Sequence, residues 1–477
     1  MADGPGDGAV QGSRRALLLA LSLISVEFLA GMQSYLSQTV LPLAATELHG
    51  QSLYGPVNAA AQAPMFFMLP LGAWLLSRYR VGHLMLVFTV VTVAGATLCA
   101  AASSMPVFLL GTAVRAIASG ALATVSMGAI SRGLPERYRQ LVLAGMSGIW
   151  VLSSVLGPGY AAGAAALVGW RWAMVLYLPL LLLSRTMIAR HMPERAEQKA
   201  EEPVPWRWSC LLALGAVLLA APAGRWSAAA VVAGAILMLG SAVRLLPTGT
   251  LRARAGRRAG LAALLVVAAV YFGATMVLSV VAHDGFGLAT GQFGFIIAAP
   301  GLLWALAGLW TGSHPALDSI PFRRRAVPAG VAMTLGILVL GGTTLLAESA
   351  TSAFVGLVVG AGLAGVAMGS MYPDLLGRCL RTPAVDDGIS QDQMAAALVL
   401  TESVGMAVAT TAAYSWLGTG WGVVDGPLQR SQILYLALAA LCLVMVQRLW
   451  AAARAGTGAR DAVLTAGGAQ RPARGRR

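Results

Sequence analysis

Long apolar runs recur along nearly the whole chain of 477 residues, separated by short polar or charged stretches. A helix needs about 20 apolar residues to cross roughly 30 Å of hydrocarbon. Applied along the chain, that length predicts an all-α integral membrane protein with fourteen transmembrane helices. The predicted spans lie at about 16–41, 54–77, 83–103, 106–131, 138–165, 172–190, 208–223, 228–246, 261–282, 291–313, 327–347, 352–377, 394–417 and 430–450.

The seventh predicted span, 208–223, is the weakest because it is short and contains Pro222 near its end. A re-entrant or interfacial segment is the alternative. Charge favours a full crossing: with a cytoplasmic N-terminus and fourteen spans, only three of the 33 lysines and arginines face outward, as the positive-inside rule requires. These three are Arg171, Arg225 and Arg430; Arg115 lies within a span, and we assign the others to the cytoplasmic side. Both termini are then expected in the cytoplasm.

Composition excludes a soluble globular protein. The chain is 57% hydrophobic and 11% charged, whereas soluble domains carry about 25% charged residues. The four cysteines show no CxxC spacing and no nearby histidines, so we expect no metal site, no disulfide framework and no cofactor. The net charge of +14 is spread between apolar segments, which argues against a nucleic-acid partner.

Several segments resemble motifs of the major facilitator superfamily, in particular its fourteen-helix drug:proton antiporter branch. Residues 169–179, GWRWAMVLYLP, are similar to the WRWIFLINLP stretch of that branch. The glycines of span five, ending in Gly157, Pro158 and Gly159, resemble its antiporter motif. Further similar segments lie at 40–48, 110–120, 365–373 and 397–405.

One motif departs from the family. After span two the superfamily has GxLaDRxGRR, and this chain keeps Gly72, Arg78 and Arg80 but lacks the acid. In the family that acid pairs across the cytoplasmic helix ends and locks the outward-open state. The gate of this chain is therefore expected to depend on other contacts.

The resemblance implies two six-helix bundles, with two additional helices between them and substrate bound in a central cavity. We predict a cytoplasmic N-terminal tail at 1–13 and bundles at 14–195 and 258–452. The linker and the two extra helices occupy 196–257, and a basic, disordered cytoplasmic tail occupies 453–477. The first apolar run is too long for the core of a signal peptide and is expected to be retained.

Ionisable groups deep in a bilayer are costly, so each is a functional hypothesis. Glu27 lies 12 residues beyond Arg15, about 18 Å along a helix and near the membrane centre. It suits exchange of a proton for a cationic substrate; a packing hydrogen bond is the alternative. In the family the first-helix acid lies nine residues before the exit proline, where this chain has Gln33, so Glu27 matches by role and not by register.

Arg115 and Glu402 complete the predicted proton-coupling set. Arg115 is ten residues into span four, and we name Glu27 as its partner, with backbone carbonyls as the alternative. Glu402 is eight residues into span thirteen and matches an acid that family members often carry there. Asp374, beside Pro373, is expected to form a salt bridge at the cytoplasmic rim.

The predicted substrate cavity contains amides and aromatic rings. Asn58 and Gln62 are spaced i, i+4 and share one helix face; cavity lining and interhelical hydrogen bonding both fit this pattern. Rings can stack on a flat or cationic substrate, with packing as the alternative. The cavity prediction comprises Gln33, Asn58, Gln62, Trp150, Tyr271 and Tyr372.

These observations predict a proton-coupled exporter of small amphipathic compounds, monomeric and embedded in the cell membrane. The chain contains no Walker A sequence, which disfavours an ATP-driven pump. The alternatives are a symporter, an exporter of one endogenous metabolite, a transport-inactive sensor and a membrane-embedded enzyme. The enzyme is disfavoured because no cluster of acids or nucleophiles suggests catalysis.

Overall fold

The computed structural model describes residues 7–50, 53–192, 204–220, 227–288, 290–382, 387–419 and 423–454. Within these ranges all regular structure is helical. The helices are α1 Asp7–Glu47, α2 Tyr54–Arg78, α3 Val81–Ala100, α4 Met105–Gly133, α5 Glu136–Leu176, α6 Leu178–His191, α7 Trp206–Leu219, α8 Ser227–Leu245, α9 Gly256–Thr275, α10 Thr290–Ser313, α11 Ser319–Leu346, α12 Ala350–Leu380, α13 Gln391–Thr419 and α14 Pro427–Ala452. Short turns occur at Thr250–Arg252, Leu278–Val280 and Val281–Gly285.

Twelve segments of the described chain are long and apolar enough to cross a membrane. Two of the fourteen predicted spans are not among them. One is the first part of α5, and the other is α7, which has 14 residues and a length of about 21 Å. The all-helical membrane fold is confirmed, whereas the count of fourteen spans stays a prediction.

The predicted break between spans five and six, at 166–171, contains a kink in the structure. Helix α5 continues to Leu176 through a kink at Gly169, where φ is 80° and ψ is 157°. This left-handed conformation favours glycine because a side chain would clash with the backbone. The Trp170 and Arg171 side chains follow the kink directly and are anchored there, as described below.

Helices α1–α6 pack on one another and form an N-terminal bundle, and α9–α14 form a C-terminal bundle. The pair α7 and α8 packs together and touches both bundles, with α7 against α2 and α8 against α13. Several crossings require glycine. A Cβ on Gly120 would collide with the Met65 carbonyl, and one on Gly365 would collide with the Pro300 carbonyl, so small residues let the backbones approach.

The two bundles meet through α5 against α10 and α12, and through α2 and α4 against α13. We call the end of the bundles that carries Arg78, Arg132, Arg137, Arg324 and Arg381 the basic end. Among the described residues, the ion pairs between the bundles lie at this end. Arg132 on α4 binds Asp392 on α13, and Arg381 lies 3.9 Å from Glu136.

Candidate functional site

Glu402 lies at the centre of the C-terminal bundle and is held by Tyr372. The Tyr372 hydroxyl donates towards both carboxylate oxygens, at 2.8 Å from each. The Tyr372 ring meets Trp304 edge to face with ring centres 5.5 Å apart, and Trp304 meets Tyr271 at 5.0 Å. Four helices, α9, α10, α12 and α13, therefore supply one aromatic cluster beside a carboxylate.

Glu27 lies on α1 in the other bundle and approaches the same region. It is close enough to Glu402 for the two charges to repel, and close enough to Arg185 for the guanidinium to attract it. Both glutamates are half-buried, so part of each remains accessible to water. The structure thus brings together two of the three residues predicted to couple protons, one from each bundle.

Arg185 on α6 is a residue of this site that our sequence analysis missed. We had assigned it to the cytoplasmic side with the other arginines near the end of span six. The structure buries it at 7% exposure, and its Nη1 donates to Thr92 Oγ1 at 3.1 Å on α3. A signal existed, because Arg185 interrupts an apolar run six residues before the end of α6 at His191.

Gln33 on α1 is a partner of Arg115 that our sequence analysis did not name. With the amide of Gln33 oriented so that its oxygen faces the guanidinium, that oxygen accepts from Arg115 Nη2 and from Nε at 3.2 Å. Orientation of such an amide follows from its hydrogen bonds. Gln33 occupies the register of the family's first-helix acid, so α1 still supplies the partner of Arg115, one and a half turns from Glu27.

Asp374 forms the expected salt bridge at the rim, although its partner is new. Its Oδ2 lies 2.9 Å from Arg325 Nη1, and its Oδ1 accepts from the Ala316 amide at 3.0 Å. The residue is 1% exposed. It closes the loop between α10 and α11 and takes no part in the central site.

Several other predicted cavity and motif residues lie on α2 and α5. Asn58 and Gln62 share the face of α2 that carries Met65 and Leu69, which pack on α4. Gly72 continues this face, where a Cβ would lie 3.1 Å from Thr124. Gly157 is buried, whereas the side chains of Trp150, Pro158 and Gly159 lie outside the described residues.

At the basic end, Arg132 replaces the missing motif acid as the connection between bundles. It binds Asp392 of the opposite bundle and donates from Nη2 to the Leu76 carbonyl at 3.3 Å in its own bundle. Of the two motif arginines, Arg78 lies over the Trp74 ring at 4.6 Å, and Arg80 precedes α3.

At the opposite end, Glu47 joins three helix ends. Trp170 Nε1 donates to its carboxylate at 2.5 Å, and Arg171 also binds it. Arg171 donates in addition to the Ala102 carbonyl at 3.0 Å. The hydrogen bond from Trp170, and then that from Arg171, hold the pKa of Glu47 below its usual range.

Among the described residues, no group of three or more His, Cys, Asp or Glu side chains lies close enough to hold a metal ion. The site therefore consists of two carboxyls close enough for their charges to repel, the guanidiniums of Arg185 and Arg115, and aromatic rings, contributed by two helical bundles. This is the architecture of a secondary transporter.

The chain belongs to the major facilitator superfamily. The family model described as Major Facilitator Superfamily matches residues 23–381, which confirms the resemblance seen in the motifs. The human organic anion transporter MFSD10 (TETRAN) has a similar fold, with a TM-score of 0.61 and 16% sequence identity, over 91% of this chain and 99% of that one.

Curated relatives are named as efflux pumps. The multidrug efflux pump SdrM of Staphylococcus aureus (strain N315) is 20% identical over 38% of this chain and 41% of the relative. The efflux pump FUS6 of Gibberella moniliformis (strain M3125 / FGSC 7600) is 23% identical over 42% of this chain and 36% of the relative. The chain matches less than half the length of these relatives.

Proposed function

We propose that the protein is a proton-coupled antiporter that exports small amphipathic organic compounds by alternating access. The observation that carries this proposal is the pairing of Glu27 and Glu402 across the two bundles. Each bundle contributes one carboxyl to a shared central site, so a relative motion of the bundles changes the surroundings of both at once. Named efflux pumps among the relatives support export as the direction.

The coupling follows from competition for the carboxyls. Two like charges held close together disfavour double ionisation, so a proton or a cationic substrate relieves their repulsion. A proton that binds from one side of the membrane displaces the substrate, and release of that proton on the other side restores the binding charge. Arg185 stabilises the ionised form of Glu27 and thereby assists proton release.

The surroundings of Glu402 favour a cation with an apolar body. Tyr372, Trp304 and Tyr271 supply ring faces and edges beside the carboxylate, and such rings attract cations as well as apolar groups. A second candidate is a narrow exporter of one metabolite that carries a carboxylate. The guanidiniums of the half-buried Arg115 and the buried Arg185 in the N-terminal bundle favour this alternative.

We further propose a monomer in the cell membrane with both termini in the cytoplasm, so that the basic end faces the cytoplasm. The positive-inside rule supports this orientation. In it, the ion pairs connect the two bundles on the cytoplasmic side.

The test is transport of a lipophilic cationic dye by the purified protein in liposomes, with an imposed pH gradient that an uncoupler then collapses. We expect dye movement that stops on uncoupling. Glu27→Gln should abolish gradient-driven transport while dye binding remains, because Glu402 still attracts the cation. Glu402→Gln should abolish gradient-driven transport and also weaken dye binding. Glu348→Gln, which changes an exposed glutamate, is the matched control and should transport normally. Dye movement that ignores the pH gradient would refute proton coupling.

A further inference from the structure

A cavity of about 2050 Å³ opens at the basic end, separate from the central site. Its walls come from the ends of α2 and α6, the start of α3, the inserted helices α7 and α8, and the start of α13. Neither Glu27 nor Glu402 lines it. We call this cavity the basic cleft.

The lining of the basic cleft is strongly cationic. Among the described residues that line it, one is an acid, Asp392, and that acid is bound by Arg132. Seven arginines line it: Arg15, Arg78, Arg80, Arg132, Arg190, Arg244 and Arg258. Converging guanidiniums repel one another, so an anion that enters the cleft lowers the energy of the whole arrangement.

Arg258 and Arg244 are the arginines of the cleft that we expect to bind an anion. The Nε of Arg258 is buried and has no hydrogen-bond partner, while its Nη2 donates to the Asp387 carbonyl at 3.0 Å. Arg244 lies 5.8 Å from the centre of the Trp208 ring. An unsatisfied buried donor is costly, and a phosphate oxygen is the acceptor that the guanidinium geometry matches best.

The cleft also has an apolar wall. Leu69 and Pro70 of α2, Leu86 of α3 and Leu400 of α13 line its inner part. Leu69 lies nine residues before Arg78 on the same helix, which places it about 13 Å deeper. A charged rim above an apolar wall fits a molecule with an anionic head and a hydrocarbon tail. Basic pockets between membrane helices bind lipid headgroups in this way.

We infer that the basic cleft binds the phosphate headgroup of an anionic phospholipid, with an acyl chain along the apolar wall. The lipid contacts α2 of one bundle, α13 of the other and the inserted helices. It therefore bridges the bundles beside the Arg132–Asp392 pair and stabilises the state that is closed at the basic end.

The test uses the full chain in mild detergent, titrated with phosphatidylglycerol or phosphatidylcholine, with bound lipid counted by native mass spectrometry. We expect the wild type to retain phosphatidylglycerol in preference. The double variant Arg244→Gln/Arg258→Gln should lose at least about tenfold in phosphatidylglycerol affinity. The control Arg323→Gln/Arg324→Gln removes the same charge from exposed positions of α11 outside the cleft and should bind like wild type.

Three results would overturn the inference. Equal losses in both double variants would show a general attraction of surface charge, and equal retention of both lipids would show no headgroup selection. Stabilisation by inorganic phosphate in the absence of bound lipid would assign the cleft to a free anion. The single variant Arg244→Gln, whose described contact is the Trp208 ring, tests the site if the double variant fails to fold.

Discussion

Arg185, which is buried, and Arg115, which is half-buried, are held in different ways in the N-terminal bundle. Arg185 donates to Thr92 and Thr89, whose hydroxyls also donate to the carbonyls of Phe88 and Met85 in their own helix. Arg115 instead donates two hydrogen bonds to Gln33. Loss of Arg185 leaves the threonines with hydrogen bonds, whereas loss of Gln33 removes two hydrogen bonds from the half-buried Arg115 guanidinium.

Replacement of Arg185 by glutamine should separate function from folding. We expect the thermal midpoint to stay the same or rise, because a buried charge is removed and the threonines keep their acceptors. Dye transport should fall at least tenfold, because the ionised form of Glu27 loses an attracting charge. Transport in liposomes and thermal unfolding in detergent measure the two effects.

Arg137→Gln is the control for this variant, since Arg137 is exposed at the start of α5. It should change neither transport nor the thermal midpoint. A strongly destabilised Arg185→Gln protein would contradict the functional assignment and mark Arg185 as a structural residue.

Substitutions at Gln33 test how much its hydrogen bonds with Arg115 stabilise the protein. Gln33→Glu would give Arg115 a charged partner at the register of the family's first-helix acid, and charge-assisted bonds are about twice as strong as neutral ones. We expect the free energy of unfolding to rise by about 1 kcal/mol. Gln33→Leu should lower it by about 2 kcal/mol. If glutamate at this position is destabilising, the charge of Arg115 is already compensated by another group.

Depth in the membrane was predictable for single residues, but pairing was not. A rise of 1.5 Å per residue placed Glu27, Arg115 and Glu402 near the middle of their helices. Which of them meet depends on how each helix is rotated and on what its neighbours place opposite. Arg115 therefore contacts Gln33 on α1. Arg185 lies only a few residues from the charged segment after span six, so the sequence alone was compatible with a position at the membrane rim.

Among the helices, the junction of α1, α3 and the α5 kink is the best defined connection at the end opposite the basic end. Glu47 closes it through Trp170 and Arg171, and Trp170 also meets Phe108 edge to face at 6.0 Å. The motif residues after span five, Trp170 and Arg171, thus connect helices. They bind the exit of the first helix, which belongs to another motif of the family.

This junction predicts a pH effect on stability. The folded pKa of Glu47 is lowered by its hydrogen bonds, so its contribution to stability is present above the ordinary glutamate pKa of about 4.3 and is lost as the pH falls through the lower folded pKa. Glu47→Gln should lower the thermal midpoint at pH 7, and the difference from wild type should shrink towards pH 3.5. Thermal unfolding at a series of pH values measures this.

Glu348→Gln is the reference for the pH series, because Glu348 is an exposed glutamate in the loop between α11 and α12. Its difference from wild type should be small at every pH. A Glu47→Gln protein that matches wild type at pH 7 would show that the junction adds nothing to stability.

The lengths of the apolar runs predicted the positions of the helices, but they did not predict features that depend on backbone angles or on packing. The break predicted between 165 and 172 coincides with the kink at Gly169, but the chain resumes helix directly after that glycine, to Leu176, instead of forming a loop. Trp206–Leu219 has the composition of a span but only 14 residues. Neither effect is visible in hydropathy, because one is a backbone angle and the other depends on packing against α2 and α8.

Among the described residues, the ion pairs between the bundles lie at the basic end, where the helices also approach closely. The side chain of Gln140 on α5 lies against Gly377 of α12 and leaves no room for a Cβ there. A Cβ on Gly312 would collide with Ala144. The Arg132–Asp392 pair adds a charged link whose two side chains are 17% and 15% exposed. Because Arg132 also donates to Leu76 in its own bundle, Asp392 is the group whose loss frees the bundles from each other.

Asp392→Asn should therefore favour opening at the basic end. A partly buried, charge-assisted link of this kind is worth about 1 kcal/mol, so the ratio of open to closed molecules should rise about fivefold. Spin labels at Arg137 on α5 and Arg324 on α11 would report a larger population of long distances by electron paramagnetic resonance.

The exchanged pair Arg132→Asp/Asp392→Arg restores attraction and should return the wild-type distribution. If the exchange fails to do so while Asp392→Asn still opens the molecule, the effect comes from Asp392 alone. If neither variant changes the distances, the glycine crossings of α5 with α10 and α12 hold the bundles together without the ion pair.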